Sequence, residues 1–255
     1  MTPNHQNVFE AVEKNDLARL LMSLARGMDP NVRDSNGRSL IIAACQNDGD
    51  RHAFVDALME RGADPGYVGP NGRTALHELC AKPLRNMHTL QMLLSAEVEL
   101  NRQDDAGQTP LHALAERGWM EGCMELLDSA PVPKGLCNQQ DNLGRTPLFV
   151  AAAHPALVCM LISYGADPRI EDVNGQNVLH RVDDPIAQSM LLAQSKALYN
   201  VDALAVAATM QPDQEFTDLM GLGKAVLAKD FLAKAIGKKS PGEVPETLPA
   251  SIKKL

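Results

Sequence analysis

The sequence is poor in aromatic residues and contains no long apolar run. Aromatic side chains make up 4% of its 255 residues, although 45% of the residues are hydrophobic, so Ala, Leu and Met must fill most of the core. These small or flexible side chains suit closely packed helices. No stretch approaches the roughly 18 apolar residues of a membrane span, and residues 1–7 lack the apolar segment of a signal peptide. We therefore expect a soluble, cytoplasmic protein that does not enter a membrane.

Paired cysteines and an excess of positive charge are also absent. None of the five cysteines stands in a Cys-x-x-Cys pair, which is typical of buried thiols in a reducing compartment. The 24 basic residues are outnumbered by 32 acidic ones, giving a net charge of -8. Because nucleic-acid binding requires clustered Lys and Arg, no nucleic-acid partner is expected. The acidity favours a partner protein with a basic patch, although solubility alone is a sufficient reason for it.

Known catalytic patterns are incomplete in this chain. Lys224 follows two glycines, but a phosphate-binding loop also needs Gly six residues before the lysine and Ser or Thr after it. Asp218 and Ala225 occupy those two positions. The pair His77-Glu78 lacks the second histidine of a zinc-protease helix. We therefore predict no enzymatic activity, no catalytic residue, no bound metal and no cofactor.

One short phrase recurs along the chain at a nearly regular spacing. Its aligned copies begin at residues 34, 69, 104, 141 and 172, so the spacings are 35, 35, 37 and 31. A period in this range indicates a stacked array of helical units. The copies read Gly37-Arg-Ser-Leu-Ile-Ile42, Gly72-Arg-Thr-Ala-Leu-His77, Gly107-Gln-Thr-Pro-Leu-His112, Gly144-Arg-Thr-Pro-Leu-Phe149 and Gly175-Gln-Asn-Val-Leu-His180.

The copy that begins at residue 104 predicts a pair of helices. Thr109 is a good N-cap because its hydroxyl accepts from an orphan amide of the first turn, and Pro110 suits the first helical position. Leu111 and Leu114 begin an apolar stripe, and Gly118 ends the helix in a left-handed cap. The inward residues of the second helix are predicted to be Met120, Cys123, Met124 and Leu127.

The repeated phrase resembles the Thr-Pro-Leu-His signature of the ankyrin repeat family. This resemblance implies an all-α fold, an α-solenoid of stacked helix-turn-helix units with projecting β-hairpin loops. It also implies that His77, His112 and His180 hydrogen-bond the backbone of the hairpin region and tie neighbouring units together. Packed helices lie about 8–10 Å apart, so these histidines are too distant to share a metal ion. Cys80 aligns with Ala115, which favours a buried thiol over a nucleophile paired with His77.

Three segments are predicted. Residues 1–194 hold about six units including an N-terminal cap, residues 195–236 form a helical C-terminal cap, and residues 237–255 are expected to be disordered. Residues 128–140 lengthen one loop, where two prolines forbid continued helix. The apolar stripes of the first unit are predicted to contain Val8, Val12, Leu17, Leu20, Leu21 and Leu24.

The resemblance implies a non-catalytic protein–protein interaction module, a scaffold or adaptor that binds through its hairpin tips and concave face. We expect the protein to be a monomer. We also expect the double substitution Arg73→Ala with Arg145→Ala to weaken partner binding and to leave the melting transition nearly unchanged. Trp119 is either an exposed anchor or a residue packed on its neighbour, and the second interpretation is slightly favoured. The predicted binding residues are Arg38, Tyr67, Asn71, Arg73, Asp105, Gln108, Glu116, Arg117, Asn142, Arg145, His154 and Asn174.

Two alternative functions stay open at this stage. The tail 242–255 has acidic residues upstream and apolar residues near its end, and it loosely resembles type IV secretion signals, some of which sit on ankyrin proteins. The chain would then be a bacterial effector translocated into a host cell, where it binds a host protein. The acidity also fits a bacterial antidote protein that plugs a basic toxin.

Overall fold

The computed structural model describes residues 3–47, 51–83, 85–96 and 98–182, together with residues 188 and 191. Helices dominate this part of the chain, and short 3₁₀ turns lie at Pro70–Gly72, Ala151–Ala153 and Val178–His180. The α-helices are α1 (Pro3–Glu13), α2 (Leu17–Ala25), α3 (Leu40–Gln46), α4 (His52–Glu60), α5 (Ala75–Cys80), α6 (Met87–Ser95), α7 (Pro110–Glu116), α8 (Met120–Asp128), α9 (Pro133–Cys137), α10 (Pro147–Val150) and α11 (Pro155–Ser163).

The first helix of each unit begins where the repeated phrase predicts. Thr109 has an extended backbone before α7, and Pro110 is the first residue of that helix. Ser39 and Thr146 cap α3 and α10 by accepting a hydrogen bond from the third helical amide. In the last copy Asn177 replaces the threonine, and its side chain accepts from the N–H of Leu179. The local cap chemistry of the phrase therefore survives changes in its residues.

The helices pack in two parallel rows. The first helices contact one another in the order α1, α3, α5, α7, α10, and the second helices in the order α2, α4, α6, α8, α11. Within each unit the two helices also pack on each other, as α3 does on α4 and α7 on α8. Neither helix of a pair can bury its apolar stripe alone, so each unit uses its neighbours to complete the core. This arrangement confirms the predicted helical solenoid.

The core follows the predicted stripes, with two corrections. Leu111, Leu114 and Leu127 are fully buried, as expected for the inner faces of α7 and α8. Leu21 and Met124 were predicted to face inward, but they are 43% and 38% exposed. Leu20 and Leu24 fill the core from α2, and Leu126 and Leu127 fill it from α8, because a helix of two or three turns has room for one narrow buried stripe.

The predicted hairpins are short loops with little strand character. In the described residues, β pairing is limited to a single antiparallel bridge between Arg33 and Ser39. The segment 128–140 also differs from expectation, because Pro133 begins the short helix α9 and does not prevent one. A proline is tolerated at the first position of a helix, where its missing N–H costs nothing. The predicted C-terminal cap (195–236) and tail (237–255) lie outside the described residues.

Candidate functional site

Four loops precede α3, α5, α7 and α10, and a fifth precedes the 3₁₀ turn Val178–His180. Hydrogen bonds within each loop hold its shape. We call them tips one to five. In tip four the carboxylate of Asp141 accepts from the N–H groups of Leu143 and Arg145, at 2.9 and 2.8 Å. The N–H of Asp141 donates in turn to the carbonyl of Arg145 at 2.9 Å. Asp104 makes the same carboxylate bonds in tip three. The tips comprise residues 34–37, 69–72, 104–107, 141–144 and 172–175.

Neighbouring tips are joined by a ladder of backbone hydrogen bonds. The N–H of Asp105 in tip three donates to the carbonyl of Asn71 in tip two at 2.9 Å. The N–H of Asn142 donates to tip three at 3.0 Å, and the N–H of Val173 donates to the carbonyl of Leu143 at 3.0 Å. The amide of Asn142 adds a side-chain bond to the carbonyl of Asp105. Tips two to five therefore form one continuous row.

Glycine is required inside this row for two reasons. Gly72, Gly107 and Gly144 have φ between 71° and 75°, the left-handed region that other residues avoid. The next tip also lies against each of them, and a Cβ on Gly107 would stand 2.6 Å from the backbone nitrogen of Asn142. The glycine of the repeated phrase is thus a contact point between units as well as a turn residue.

The row is interrupted between tips one and two. Pro70 occupies the position from which Asp105, Asn142 and Val173 donate in later tips, and proline has no N–H to give. Tyr67 takes over the link, because its hydroxyl donates to the carbonyl of Gly37 at 3.0 Å. Its ring lies 4.3 Å from the guanidinium carbon of Arg33. Tyr67, predicted to be a partner anchor, is thus half-buried and engaged in joining two units.

Two of the phrase histidines connect each unit to the next. The Nδ1 of His112 accepts from the N–H of Thr109 at 3.1 Å, and its Nε2 donates to the carbonyl of Arg145 at 2.9 Å. His77 accepts from Thr74 and reaches the carbonyls of Arg102 and Gln108 in the same way. Burial lowers the pKa of both rings. The uncharged ring fits these bonds, since a second ring proton would meet the threonine N–H.

His180 repeats the cap within its own unit. Its Nδ1 accepts from the N–H of Asn177 at 3.2 Å, but the side chain is exposed. The tie that the resemblance implies for this residue therefore stays a prediction.

The predicted tip arginines are anchored within the array. Arg73 contacts Glu78 at 2.7 Å and Asp104 at 3.2 Å, and it donates to the carbonyl of His77. Arg145 contacts Asp141 at 2.7 Å. The side chains of Arg73 and Arg145 are only 23% and 28% exposed. These contacts argue against the expectation that removing both leaves melting unchanged, because these side chains pair with buried carboxylates of the array; we now expect the double variant to melt at a lower temperature.

Arg38 is anchored in the same manner as the other two. Its guanidinium contacts Asp34 at 2.6 Å and Glu13 of the preceding unit at 3.4 Å. Partial burial opposes ionisation of Asp34, but hydrogen bonds from Arg38 and from the backbone outweigh it and lower the pKa of that carboxyl.

The other predicted binding residues differ in how far they reach solvent. Gln108 and His154 are half-buried, and the Nε2 of His154 lies 3.3 Å from the carbonyl of Glu116. Trp119 is 3% exposed, which confirms the interpretation of a packed residue. The exposed members of the predicted set are Asn71, Asp105, Glu116, Arg117, Asn142 and Asn174.

Two apolar side chains at the tips were not among the predicted binding residues. Leu143 and Val173 are 51% and 66% exposed. The sequence carried a signal for them, since most equivalent positions of the other tips hold polar residues, namely Ser35, Asn36, Asn71, Asp105, Asn142 and Asn174.

The described residues hold no metal-binding cluster, and four of their five cysteines are buried. Within them, His, Cys, Asp and Glu form no group of three that would hold a metal ion. Burial raises the pKa of Cys45 and of Cys137 to about 12 and that of Cys80 well above its usual range. A thiol of such high pKa is a poor nucleophile. No helix in this part of the chain has the length and apolar character to cross a membrane.

Comparison with known proteins gives one family. The family model described as ankyrin repeats (3 copies) matches this chain twice, over residues 8–104 and 79–172. The two matches overlap and together run from the middle of α1 to beyond α11.

Similar proteins come from distant organisms. The SH3 and multiple ankyrin repeat domains protein 2 of Homo sapiens is 28% identical over 180 residues, 69% of this chain but 9% of that protein. The ankyrin repeat protein YahD of Escherichia coli (strain K12) is 28% identical over 195 residues, 72% of this chain and 93% of its own length. Inversin of Canis lupus familiaris is 34% identical over 133 residues, 51% of this chain and 12% of that protein.

Proposed function

This chain belongs to the ankyrin-repeat family, and on that premise we propose that it binds a partner protein through its tips and the adjoining ends of its first helices. Ankyrin repeats are general protein–protein interaction modules, and the family is typically non-catalytic. One observation carries the proposal: the ladder fixes a row of loops whose exposed side chains, such as Asn71 and Asp105, are not needed to fill the core.

The described contacts divide the predicted surface into two roles. Arg38, Arg73 and Arg145 hold the tips in place by pairing with carboxylates of the array. Glu116 and Arg117, at the end of α7, are exposed and free to meet a partner. Rigid loops lose little conformational entropy on binding, which favours affinity from a modest number of contacts.

Capture of the partner from the source cells tests this proposal. The full chain serves as bait beside a variant carrying Glu116→Ala and Arg117→Ala, and bound proteins are identified by mass spectrometry. The control carries Asp56→Ala and Glu60→Ala on the outer side of α4, where both side chains are also exposed. We expect the control to retain a partner that the first variant loses. Equal capture by all three baits would refute the assignment of this surface.

The two alternative functions stay predictions. The secretion hypothesis rests on residues 237–255, which lie outside the described residues, and a reporter fused to this tail would show whether it is delivered into a host cell. The antidote hypothesis rests on the net charge of -8 alone. The monomeric state and the cytoplasmic location are likewise predictions, which light scattering and cell fractionation would test.

A further inference from the structure

Two exposed apolar residues are joined to each other by a backbone bond of the ladder. The N–H of Val173 donates to the carbonyl of Leu143 at 3.0 Å, so the two residues are direct neighbours across tips four and five. They are 51% and 66% exposed. We call Leu143 and Val173 the apolar platform. Burial of apolar surface is the main favourable term in most protein association, and this platform leaves such surface in water.

The platform is rigid before any partner arrives. Gly144 is the last residue of tip four and has φ of 73°. It lies against tip five, because a Cβ there would stand 3.0 Å from the nitrogen of Val173. The carboxylate of Asp141 holds the N–H of Leu143 at 2.9 Å. Because the backbone at Leu143 is already fixed, little ordering entropy opposes binding there.

Negative charge surrounds the platform. Asp105 adjoins tip four, because its carbonyl accepts from the amide of Asn142, and its side chain is exposed. Glu171 is exposed two residues before Val173. Among the described residues, no ion pair involves either carboxylate. A hydrogen bond from the N–H of Gln176 lowers the pKa of Asp172, which keeps a further charge beside Val173.

The nearby cations are already engaged. Arg145 is paired with Asp141 at 2.7 Å, and the guanidinium of Arg181 lies over the ring of Phe149 at 5.2 Å. The charge of Arg181 also acts on Asp172, but the carboxylates of Asp105, Asp172 and Glu171 outnumber it. The residues near the platform therefore carry more negative than positive charge, and salt screens this charge only beyond about 8–10 Å. A partner that buries the two apolar side chains must also place positive charge next to them.

Building on the proposed function, we propose that the apolar platform binds an extended segment of the partner protein in which an aliphatic or aromatic side chain stands beside Lys or Arg. The apolar side chain covers Leu143 and Val173, and the basic one approaches Asp105 or Glu171. This assigns the central contact to tips four and five, away from the tip arginines that the sequence indicated.

Peptide selection tests the partner chemistry. A library of random short peptides displayed on phage is selected on the immobilised full chain and counter-selected on a variant with Leu143→Ser and Val173→Ser. We expect the enriched peptides to share an apolar residue beside Lys or Arg. By fluorescence anisotropy the double variant should bind them at least about tenfold more weakly, equivalent to about 1.4 kcal/mol. Glu171→Gln should weaken peptide binding less than the double variant does. Added salt should reduce the affinity of this variant less than it reduces the affinity of the parent.

Val132→Ser is the matched control. Val132 is 63% exposed on the segment before α9, so this variant removes a similar exposed side chain elsewhere. It should bind the peptides as the parent does, and all variants should melt within a degree or two of the parent. The proposal is overturned if nothing is enriched, if acidic or purely polar peptides are enriched, or if the double variant binds equally.

The two proposals fail separately. Loss of the cellular partner by the α7 variant, with normal capture by the double variant, would remove the platform proposal and leave the proposed function standing. Peptide binding at the platform without capture of any cellular protein would count against the proposed function alone.

Discussion

Single side chains in this protein serve two units at once. His112 closes the cap of its own helix by accepting from Thr109 and, through its other nitrogen, holds the carbonyl of Arg145 in the next unit. A glutamate at the same position would cap the helix as well, but it has no N–H to donate onward. The neutral imidazole is therefore the side chain whose chemistry suits both bonds.

This double role makes stability depend on pH. Burial lowers the pKa of His77 and His112 from the ordinary value of 6.5. As the pH falls below 6.5, these histidines bind protons more readily in the unfolded chain than in the folded one. The stability that the neutral rings contribute is therefore complete above pH 6.5 and decreases below it. We expect urea unfolding to give a lower free energy of unfolding at about pH 5.5 than at about pH 7.5.

Two variants separate these histidines from the others. His112→Gln should reduce the slope of stability against pH in this window, while His88→Gln, at an exposed position, should keep it. The carboxyl groups of Asp34 and Asp167 do not contribute to this slope, because their pKa values are lowered from 3.8 and they titrate below the window. An unchanged slope in His112→Gln would contradict the buried neutral ring.

The tip arginines give a second prediction at this scale. Arg73→Ala removes two ion pairs and a bond to the carbonyl of His77, and leaves the buried carboxylate of Asp104 without this partner. We expect Arg73→Ala to lower the free energy of unfolding by about 1–3 kcal/mol. Arg117→Ala, at an exposed position, should stay within about 0.5 kcal/mol of the parent. Chemical denaturation measures both, and equal stabilities would show that the tip contacts of Arg73 are dispensable.

At the scale of elements, the tips differ in how closely the following tip approaches them. Gly107 and Gly37 have nearly the same backbone, with φ of 75° and 80°. A Cβ added to Gly107 would clash with Asn142, whereas a Cβ added to Gly37 would have no atom within 4 Å. The difference arises because Pro70 cannot donate the ladder bond that would draw tip two onto tip one.

These glycines form a matched pair for experiment. Gly37→Ala should cost about 1–2 kcal/mol, the strain of a left-handed alanine. Gly107→Ala should cost more, because tip four must also move away and the bond between Asn142 and Ala106 is lost. Thermal melting of the two variants gives the comparison. Equal losses would mean that the close approach of the tips contributes nothing to stability.

The helices supply a further prediction. Leu111 is fully buried in α7, between α5 and α10. We expect Leu111→Ala to lower the free energy of unfolding by about 2–5 kcal/mol through lost burial and a cavity. Met124→Ala in α8, where the side chain is 38% exposed, is the control and should cost clearly less. If both variants unfold at the same denaturant concentration, the assignment of the inner face of α7 is wrong.

At the scale of the molecule, stability is shared only between adjacent units. The first helices touch in file and the second helices do likewise, so α7 has helices on both sides while α2 packs on α1 and α4. We expect amide hydrogen exchange to be slower in α7 than in α2, because opening the middle of an array breaks two interfaces. Exchange followed by mass spectrometry measures this, and equal protection would indicate that the units unfold as one block.

Features that depend on a few consecutive residues were predictable from the sequence. The repeat spacing, the cap at Thr109, Pro110 after it and the left-handed Gly118 were all predicted from the sequence, and they take the predicted conformations. Each depends on a few consecutive residues and on backbone geometry. The sequence did not decide which apolar residues of a helix face the core. The apolar runs of α2 and α8 are wider than the buried stripe, so the exposed positions of Leu21 and Met124 were not predictable from the pattern.

The sequence by itself determined the family, the order of the helical units and the place of the tips, because a regular period and local capping chemistry specify them. Only the tertiary structure decided what each tip does. Arg73 pairs with Asp104, Tyr67 bonds to Gly37 where Pro70 lacks a donor, and Val173 donates to Leu143. Each of these contacts joins residues about 30 positions apart in the sequence. Such contacts depend on how closely one unit approaches the next, and that distance is set by packing.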